Sequence, residues 1–353
     1  MKSKRRIAIH LTDLDPSHGG MERVSYILSK ELCRRGYELY AIHTNNKPID
    51  KSCYSHYSAT YQGDSSRLAD IEGIINFVKN NQIEIFLNQI FTCYSSLELQ
   101  KSLKLNTSVI LINAFHTTPS LLDSLKTFSR YLPVPLFINQ VLFNFHKIIS
   151  LKPKYRKGNI LSYKLCDAFV MLSEHYYPFF VEDNKIKDFS KLYAIPNPYE
   201  FKLNKNNQKE KIFLVVARLN NQQKRIDRVL KFWKEYHNEK DGWKLFIVGD
   251  GPDKNMLIKM SKSLNLRDCF FEGYSATPEK YYERAMIFLM TSDIEGFSMT
   301  LLEAVSHGCV PLAMDTFSAL PDIITDKQNG MIVKKNDILG MINATNYILI
   351  PSE

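Results

Sequence analysis

The chain has 353 residues, with 46 Lys and Arg against 37 Asp and Glu for a net charge of +9; that length suits two α/β domains. Its six cysteines, Cys33, Cys53, Cys93, Cys166, Cys269 and Cys309, show no paired spacing of metal or redox type and read as reduced thiols of a cytosolic protein. The basic N-terminus has its apolar run broken at His10, Thr12 and Asp13, which argues against a secretory signal. The most apolar later stretch, Tyr131 to Phe145, is broken by Pro133, Pro135, Asn139 and Gln140 and is too short to span a bilayer.

In chain order, Arg6 to Leu11 reads as a first strand, leading through Asp13-Leu14-Asp15 to Gly19 and Gly20 before a helix. Paired glycines there permit close approach of backbone to a ligand such as a diphosphate. No other oxygen-ligand cluster accompanies Asp13 and Asp15, so no required metal is expected. Ser108 to Asn113 is another strand pattern, with Ala114-Phe115-His116-Thr117-Thr118-Pro119 leaving its carboxyl end. A lone His in such a loop is more often structural than functional. From Leu121 to Lys164 the only acid is Asp123, against eight Lys and Arg with Phe and Tyr interleaved. Anionic lipid headgroups or a lipid diphosphate would suit that surface, and a solvated basic face over an ordinary core is the alternative. Nothing resembles a nucleic-acid module. Prolines flanking Asn197 in Ile195-Pro196-Asn197-Pro198 force an extended connection, placing a domain boundary after residue 196, and the run Asn204 to Lys211 reads as solvated.

The second half is richer. Phe213 to Ala217 is a strand pattern followed by Arg218-Leu219-Asn220-Asn221-Gln222-Gln223-Lys224-Arg225; Lys224 and Arg225 alone could be an ordinary basic helix start. Leu245 to Val248 runs into the turn Gly249-Asp250-Gly251-Pro252, and Cys269 to Glu272 into Gly273-Tyr274. Ile287 to Met290 and Val310 to Ala313 read as buried strands. Between them lie Glu295-Gly296-Phe297-Ser298 and a helix over Met299 to His307 closed by Gly308. In an open parallel sheet ligands bind beyond the carboxyl ends of strands, which is where Glu295 and Gly296 fall. The helix's first free N–H groups, around Ser298 to Thr300, suit a phosphate. Two carboxylates, Glu295 and Glu303, suit hydroxyl groups, since carboxylates accept paired hydrogen bonds from vicinal diols. Glu303 lies among Leu301, Leu302, Ala304 and Val305, and burying it without a partner is costly; pairing with His307 one turn on is the plain alternative.

Glu295 to Glu303, embedded in Glu-Gly-Phe-Ser and followed by Glu-Ala-Val-Ser-His-Gly-Cys-Val-Pro, resembles the signature of the retaining nucleotide-sugar glycosyltransferases of glycosyltransferase family 4, which have the GT-B fold. The resemblance covers Arg218 to Val333 with specific motifs and the first half in outline. It implies two doubly wound Rossmann-like domains, an acceptor domain over 1–196 and a donor domain over 197–353. It places Arg218 and Lys224 on the donor diphosphate, Glu295 and His116 at the donor sugar, and Glu303 on the ribose. Gly19, Gly20, Gly249, Gly296, Phe297, Ser298, Met299 and Thr300 would line the donor site, with the base held near Tyr274. Arg218 and Lys224 would supply the charge that a metal supplies in glycosyltransferases of another fold, so no cofactor is implied.

The implied reaction is retaining transfer from a nucleoside-diphosphate sugar, a UDP-sugar favoured, to a glycan or lipid-linked glycan in cell-surface polysaccharide synthesis. The implied location is the cytoplasm, with peripheral contact at the inner face of the plasma membrane through the basic segment. Members of the family continue beyond the equivalent of Asn329 to Val333 into a helix that crosses back to the first domain. Here Asn336 to Ile348, with Ile338, Leu339, Ile342 and Ile348 as its apolar set, is the one helix expected after that point. A non-catalytic sugar-nucleotide-binding protein and a GT-B epimerase or phosphorylase stand as alternatives.

Overall fold

The computed structural model describes residues 5–45, 51–90, 96–118, 153, 155–199, 208–237 and 242–350. The chain forms two compact units, Met1–Pro198 and Tyr199–Glu353. Cys93 and most of the basic segment 121–164 lie outside the described residues.

The first unit is an all-parallel sheet of order β3-β2-β1-β4-β5-β6-β7. Its strands are β1 (Arg6–Leu11), β2 (Glu38–His43), β3 (Ala59–Gln62), β4 (Ile85–Asn88), β5 (Ile110–Phe115), β6 (Ala168–Met171) and β7 (Leu192–Ala194). The strand β5 runs two residues past its expected end, because Ala114 and Phe115 pair with Val170 and Met171 of β6. His116 is therefore the first residue of the loop. Three polar residues cross the sheet in register, His10 beside Asn88 and Asn88 beside Asn113. Each is fully buried. Buried polar groups need partners, and these find one another: His10 Nδ1 lies 2.9 Å from Asn88 Oδ1, and Asn88 Nδ2 donates to Asn113 Oδ1 at 2.9 Å. Asn113 Nδ2 donates in turn to Gln100 Oε1 and Ser162 Oγ, both at 3.0 Å. Gln100 comes from the helix Leu97–Asn106 and Ser162 from a helix over 155–165. Since Asn88 Nδ2 is committed as a donor, Asn88 Oδ1 faces His10 and His10 carries its proton on Nδ1.

The second unit is a parallel sheet of order β10-β9-β8-β11-β12-β13. Its strands are β8 (Glu210–Val216), β9 (Lys244–Val248), β10 (Cys269–Gly273), β11 (Ala285–Met290), β12 (Val310–Asp315) and β13 (Met331–Lys334). Glu210 and Lys211, at the end of the expected solvated run, are exposed as expected but already belong to β8. Glu210 pairs with Ala285, and Arg284 grips its carboxylate at 2.6 and 3.0 Å. The helix Ile226–His237 places Ile226, Val229, Leu230, Phe232, Trp233 and Tyr236 on one buried face. There Phe213, Phe232, Trp233, Tyr236 and Trp243 form one aromatic cluster, and Trp233 Nε1 donates to the Arg267 carbonyl at 2.8 Å. The helix Ile338–Ile348 is capped by Asp337, whose carboxylate accepts from Gly340 N at 2.7 Å. Of the expected apolar set Ile338, Ile342 and Ile348 pack against the core, while Leu339 is 67% exposed and Met341 and Ala344 are buried in the core beside them.

Candidate functional site

The order of the second sheet reverses between β8 and β11. Connections from these neighbours leave in opposite directions, and a crevice opens at their carboxyl ends. The loop after β8 carries Arg218 and a four-residue helix, Asn221–Lys224, and the loop after β11 carries Thr291 to Ser298. Arg225 takes a left-handed conformation with φ +52° and breaks the chain between that short helix and the next. Lys224 therefore closes a turn rather than opening a basic helix. Successive bonds zip the two loops together: Asp293 N donates to Gln223 O at 2.7 Å, Gln223 Nε2 to Ile294 O at 3.2 Å, and Thr291 Oγ1 to Arg225 O at 2.9 Å. At their end Lys224 Nζ meets Glu295 Oε1 at 2.6 Å, with side chains only 17% and 9% exposed. The structure thus joins two residues 71 positions apart that sequence reading had placed at the sugar and the diphosphate.

Beneath them sits a charge centre that sequence reading missed. Asp293 takes Arg225 and Arg228 at 2.9 Å and Lys335 at 2.8 Å. Burial would raise its pKa, and Lys335, Arg225 and Arg228 overcome that and pull it down to about 2. Arg225 also makes a two-pronged contact with Asp227, each arm 2.9 Å. The left-handed turn is thereby fixed at both sides of Lys224's attachment to the chain. Arg225 lies 68 positions from Asp293, so no local pattern in the sequence marks this cluster.

The helix Met299–Ser306 begins where expected. Ser298 is its cap, the hydroxyl accepting from Leu301 N at 3.4 Å and lying 3.2 Å from Thr300 Oγ1. Helix geometry leaves the N–H groups of Met299 and Thr300 without intrahelical acceptors, at the positive end of the dipole. Phe297 and Ser298 are buried, and Gly296, Met299 and Thr300 are half-buried. Thr300, Lys224 and Glu295 line one small cavity with Thr291 and Ser292. Glu303 is 6% exposed, and its Oε2 accepts from the hydroxyl of the fully buried Tyr282 at 2.8 Å. The expected alternative, a pair with His307, takes another form: His307 Nδ1 donates to the Glu303 backbone carbonyl at 2.8 Å.

Gly249 and its neighbour Gly251 do a packing task. Gly249 has φ +136°, and a Cβ there would fall 1.9 Å from the Ala217 carbonyl oxygen; one on Gly251 would fall 2.6 Å from the Leu219 carbonyl oxygen. The two exits lie backbone on backbone, tied by Leu219 N to Asp250 O at 2.8 Å and Asp253 N to Leu219 O at 3.0 Å. This holds the segment bearing Arg218, whose exposed side chain makes no ion pair among the described residues. Tyr274, just past β10, is 64% exposed.

In the first unit the order reverses between β1 and β4, and the loop after β1 bears the expected glycines. Gly19 caps the helix Gly20–Arg34 in an extended conformation, and a Cβ on it would meet only the tip of Glu22. Asp13 and Asp15 organise that loop: Asp13 accepts from Asp15 N at 3.0 Å and contacts His18 and Asn45, while Asp15 accepts from Ser17 N at 2.8 Å. Across the sheet, His116 reaches an apolar cavity lined by Val24, Leu28, Ile112, Ala114 and Val170. Burial lowers its pKa to about 4 against the opposing influence of Asn197, so its ring is neutral at pH 7.

Two doubly wound parallel sheets of Rossmann type, each with residues gathered at its switch point, define the GT-B class of fold. Residues 198–350, essentially the whole second unit, match the family model described as Glycosyl transferases group 1. An uncharacterized glycosyltransferase of Haemophilus influenzae is 26% identical over 344 residues, covering 94% of this chain and 87% of that protein. The amylovoran biosynthesis glycosyltransferase AmsD of Erwinia amylovora is 26% identical over 334 residues, covering 90% and 83%. Among solved structures, the lipopolysaccharide outer core galactosyltransferase WaaB superposes with a TM-score of 0.67 at 18% identity, covering 98% of this chain and 90% of WaaB. Anabaena HepE in complex with UDP-glucose superposes at 0.73 and 13% identity, covering 98% and 90%.

Proposed function

We propose that this chain is a retaining glycosyltransferase of family 4 that transfers a sugar from a nucleoside diphosphate to an acceptor hydroxyl in cell-surface polysaccharide synthesis. The observation that carries the reading is the Lys224–Glu295 pair at the switch point between β8 and β11, in one cavity with the first turn of Met299–Ser306. As the bond to the sugar breaks, the leaving diphosphate gains negative charge. Arg218, Lys224 and the amides of Met299 and Thr300 supply fixed positive charge for it. Each such donor contributes roughly 2.7–4 kcal/mol to the transition state, so a metal is not needed.

Glu295 meets the sugar hydroxyls and Glu303 the ribose. His116 acts as a neutral hydrogen-bonding group toward the sugar, and Gly19 and Gly20 approach the diphosphate. Gly249 and Tyr274 hold the base, with Gly296, Phe297 and Ser298 shaping the sugar pocket. Attack comes from the face of the leaving group, whose phosphate takes the acceptor proton, so no protein nucleophile is required. The UDP-glucose held by HepE favours a UDP-sugar donor, and the pathway of AmsD favours a glycan or lipid-linked glycan acceptor. The site of action is the cytoplasmic side of the plasma membrane, with the basic aromatic segment 121–164 on the anionic surface.

The test incubates the protein with UDP-, GDP- and ADP-sugars and follows release of nucleoside diphosphate. The reading expects release from one donor class, lost in Lys224→Ala and Glu303→Ala, and a product whose anomeric configuration by NMR matches the donor's. No release from any donor, with no donor-induced rise in melting temperature, overturns it. Release that yields an inverted product overturns the retaining part alone.

A further inference from the structure

Glu303 does not stand alone in the second unit. Its carboxylate is held by Tyr282, and Tyr282 is held at every side. The Tyr282 hydroxyl is fully buried, where lacking a partner would cost several kcal/mol, and it donates to Glu303 Oε2 at 2.8 Å. Its ring stacks on His307 with centroids 5.6 Å apart and planes 21° from parallel. Its backbone carbonyl accepts from Lys209 Nζ at 2.8 Å and from Cys309 Sγ at 3.1 Å.

Lys209 joins two helices. The same ammonium donates to the His307 carbonyl at 2.6 Å. Tyr282 lies in the last turn of the helix Glu279–Arg284, and His307 closes the helix Met299–Ser306. Carbonyls at helix C-termini lack intrahelical donors, and the dipole there favours a cation. One cation thus fixes the spacing of the two helices that carry Tyr282 and Glu303. Burial lowers the pKa of Lys209, and its two carbonyl contacts use two of its N–H donors.

We infer that Lys209 and Tyr282 are positioning residues that set the orientation of the Glu303 carboxylate, and that this orientation is what selects a ribonucleotide over its 2′-deoxy counterpart. The inference rests on the proposed role of Glu303 toward the ribose. A carboxylate selects a diol only if its oxygens are held in the diol's plane, and a freely rotating one binds either sugar by whichever hydroxyl it meets. The Tyr282 hydroxyl removes that rotation. Loss of one charge-assisted bond to the 2′-hydroxyl corresponds to roughly a ten- to hundredfold weaker affinity.

The experiment measures, by titration calorimetry on the full chain, the dissociation constants of UDP, GDP and ADP and of the 2′-deoxy form of whichever binds. Wild type should prefer the ribonucleotide at least tenfold. Tyr282→Phe, which keeps the ring stack and removes the hydroxyl, should reduce that preference to about twofold by weakening the ribonucleotide alone. Lys209→Met should reduce it in the same direction and Lys209→Arg should restore it. A merely structural role would weaken both nucleotides equally and leave the ratio unchanged, which overturns the inference while leaving the donor site standing. Should Tyr282→Phe fail to fold, an unchanged ratio in Lys209→Met overturns it. No binding of any ribonucleotide by wild type overturns the proposed function itself, and the inference with it.

Discussion

Replacing Lys224 by Met strips the ion-pair partner from a carboxylate whose side chain is 9% exposed. At 2.6 Å and an effective dielectric of about 20, the gross attraction is about 6 kcal/mol, much of it offset by the cost of drying both groups. Removing one member of a buried pair typically costs about 3–5 kcal/mol. Lys224 is 17% exposed, so the lower end, about 3 kcal/mol, is expected. Glu295→Gln keeps an acceptor for the ammonium and should cost about 1–2 kcal/mol. The double variant leaves no stranded charge and should cost about 2 kcal/mol, well below the sum of the single changes. Both tryptophans, Trp233 and Trp243, lie in the aromatic core of the second unit. Urea unfolding followed by tryptophan fluorescence therefore reports on that unit alone. If the two single changes add to the double within about 0.5 kcal/mol, Lys224 and Glu295 are not coupled and the pair is not the organising contact of the site. The same Lys224→Met protein should lose roughly 100- to 1000-fold in rate.

Three further outcomes follow from named contacts. Gly249→Ala should destabilise the second unit by about 3 kcal/mol, since the new Cβ meets backbone in a conformation glycine favours. Gly19→Ala meets a flexible Glu22 tip and should cost under about 1 kcal/mol; equal costs in thermal unfolding would contradict the geometry. Asp293, with its folded pKa pulled to about 2 from the usual 3.8, binds fewer protons folded than unfolded. Its contribution of about 2 kcal/mol is complete above pH 4 and lost as pH falls through 2. The stability gap to Asp293→Asn should close over that window, and a gap independent of pH would refute the three-cation account. His10 has its pKa lowered from 6.5 to about 4, burial outweighing the opposing Asn88 contact. The unfolded chain takes up a proton between those values that the fold excludes, so stability is full above pH 6.5 and falls toward pH 4 by about 3 kcal/mol. Hydrogen exchange of β1 and β4 amides should show that loss in wild type and not in His10→Gln.

What was legible in the sequence was local. The strand β1 is legible over Arg6 to Leu11 from Ile7, Ala8, Ile9 and Leu11 despite the interruption at His10, and the helix Met299–Ser306 because Gly308 closes it. Misreadings fell where pairing across the sheet decides. Ala114 and Phe115 were assigned to a loop, and β6 draws them into β5. Glu210 and Lys211 are exposed, as a solvated run should be, but pairing of Glu210 with Ala285 extends β8 into that run, with Arg284 gripping Glu210 from 74 residues away. Leu339 fits a helical apolar stripe equally well as Met341, and only the position of the neighbouring core selects between them.

The site divides along the same line. Glu295, Glu303, Arg218 and Lys224 can be singled out because their stretches resemble a family signature, which assigns the acids to hydroxyls and the cations to phosphate. The residues that aim them could not, because each acts through a contact distant in sequence. Tyr282 is 21 residues from Glu303, Asp293 is 68 from Arg225, and Lys209 is 98 from His307. None of these carries a motif, and their types are common at strand starts and helix ends for ordinary reasons. The strand order does the assembling: by placing β8 beside β11 it brings the Lys224 turn against the Glu295 loop, and three bonds then set their register. A substitution that spares the four motif residues but shifts that register should be as damaging to the site as the loss of Lys224 itself.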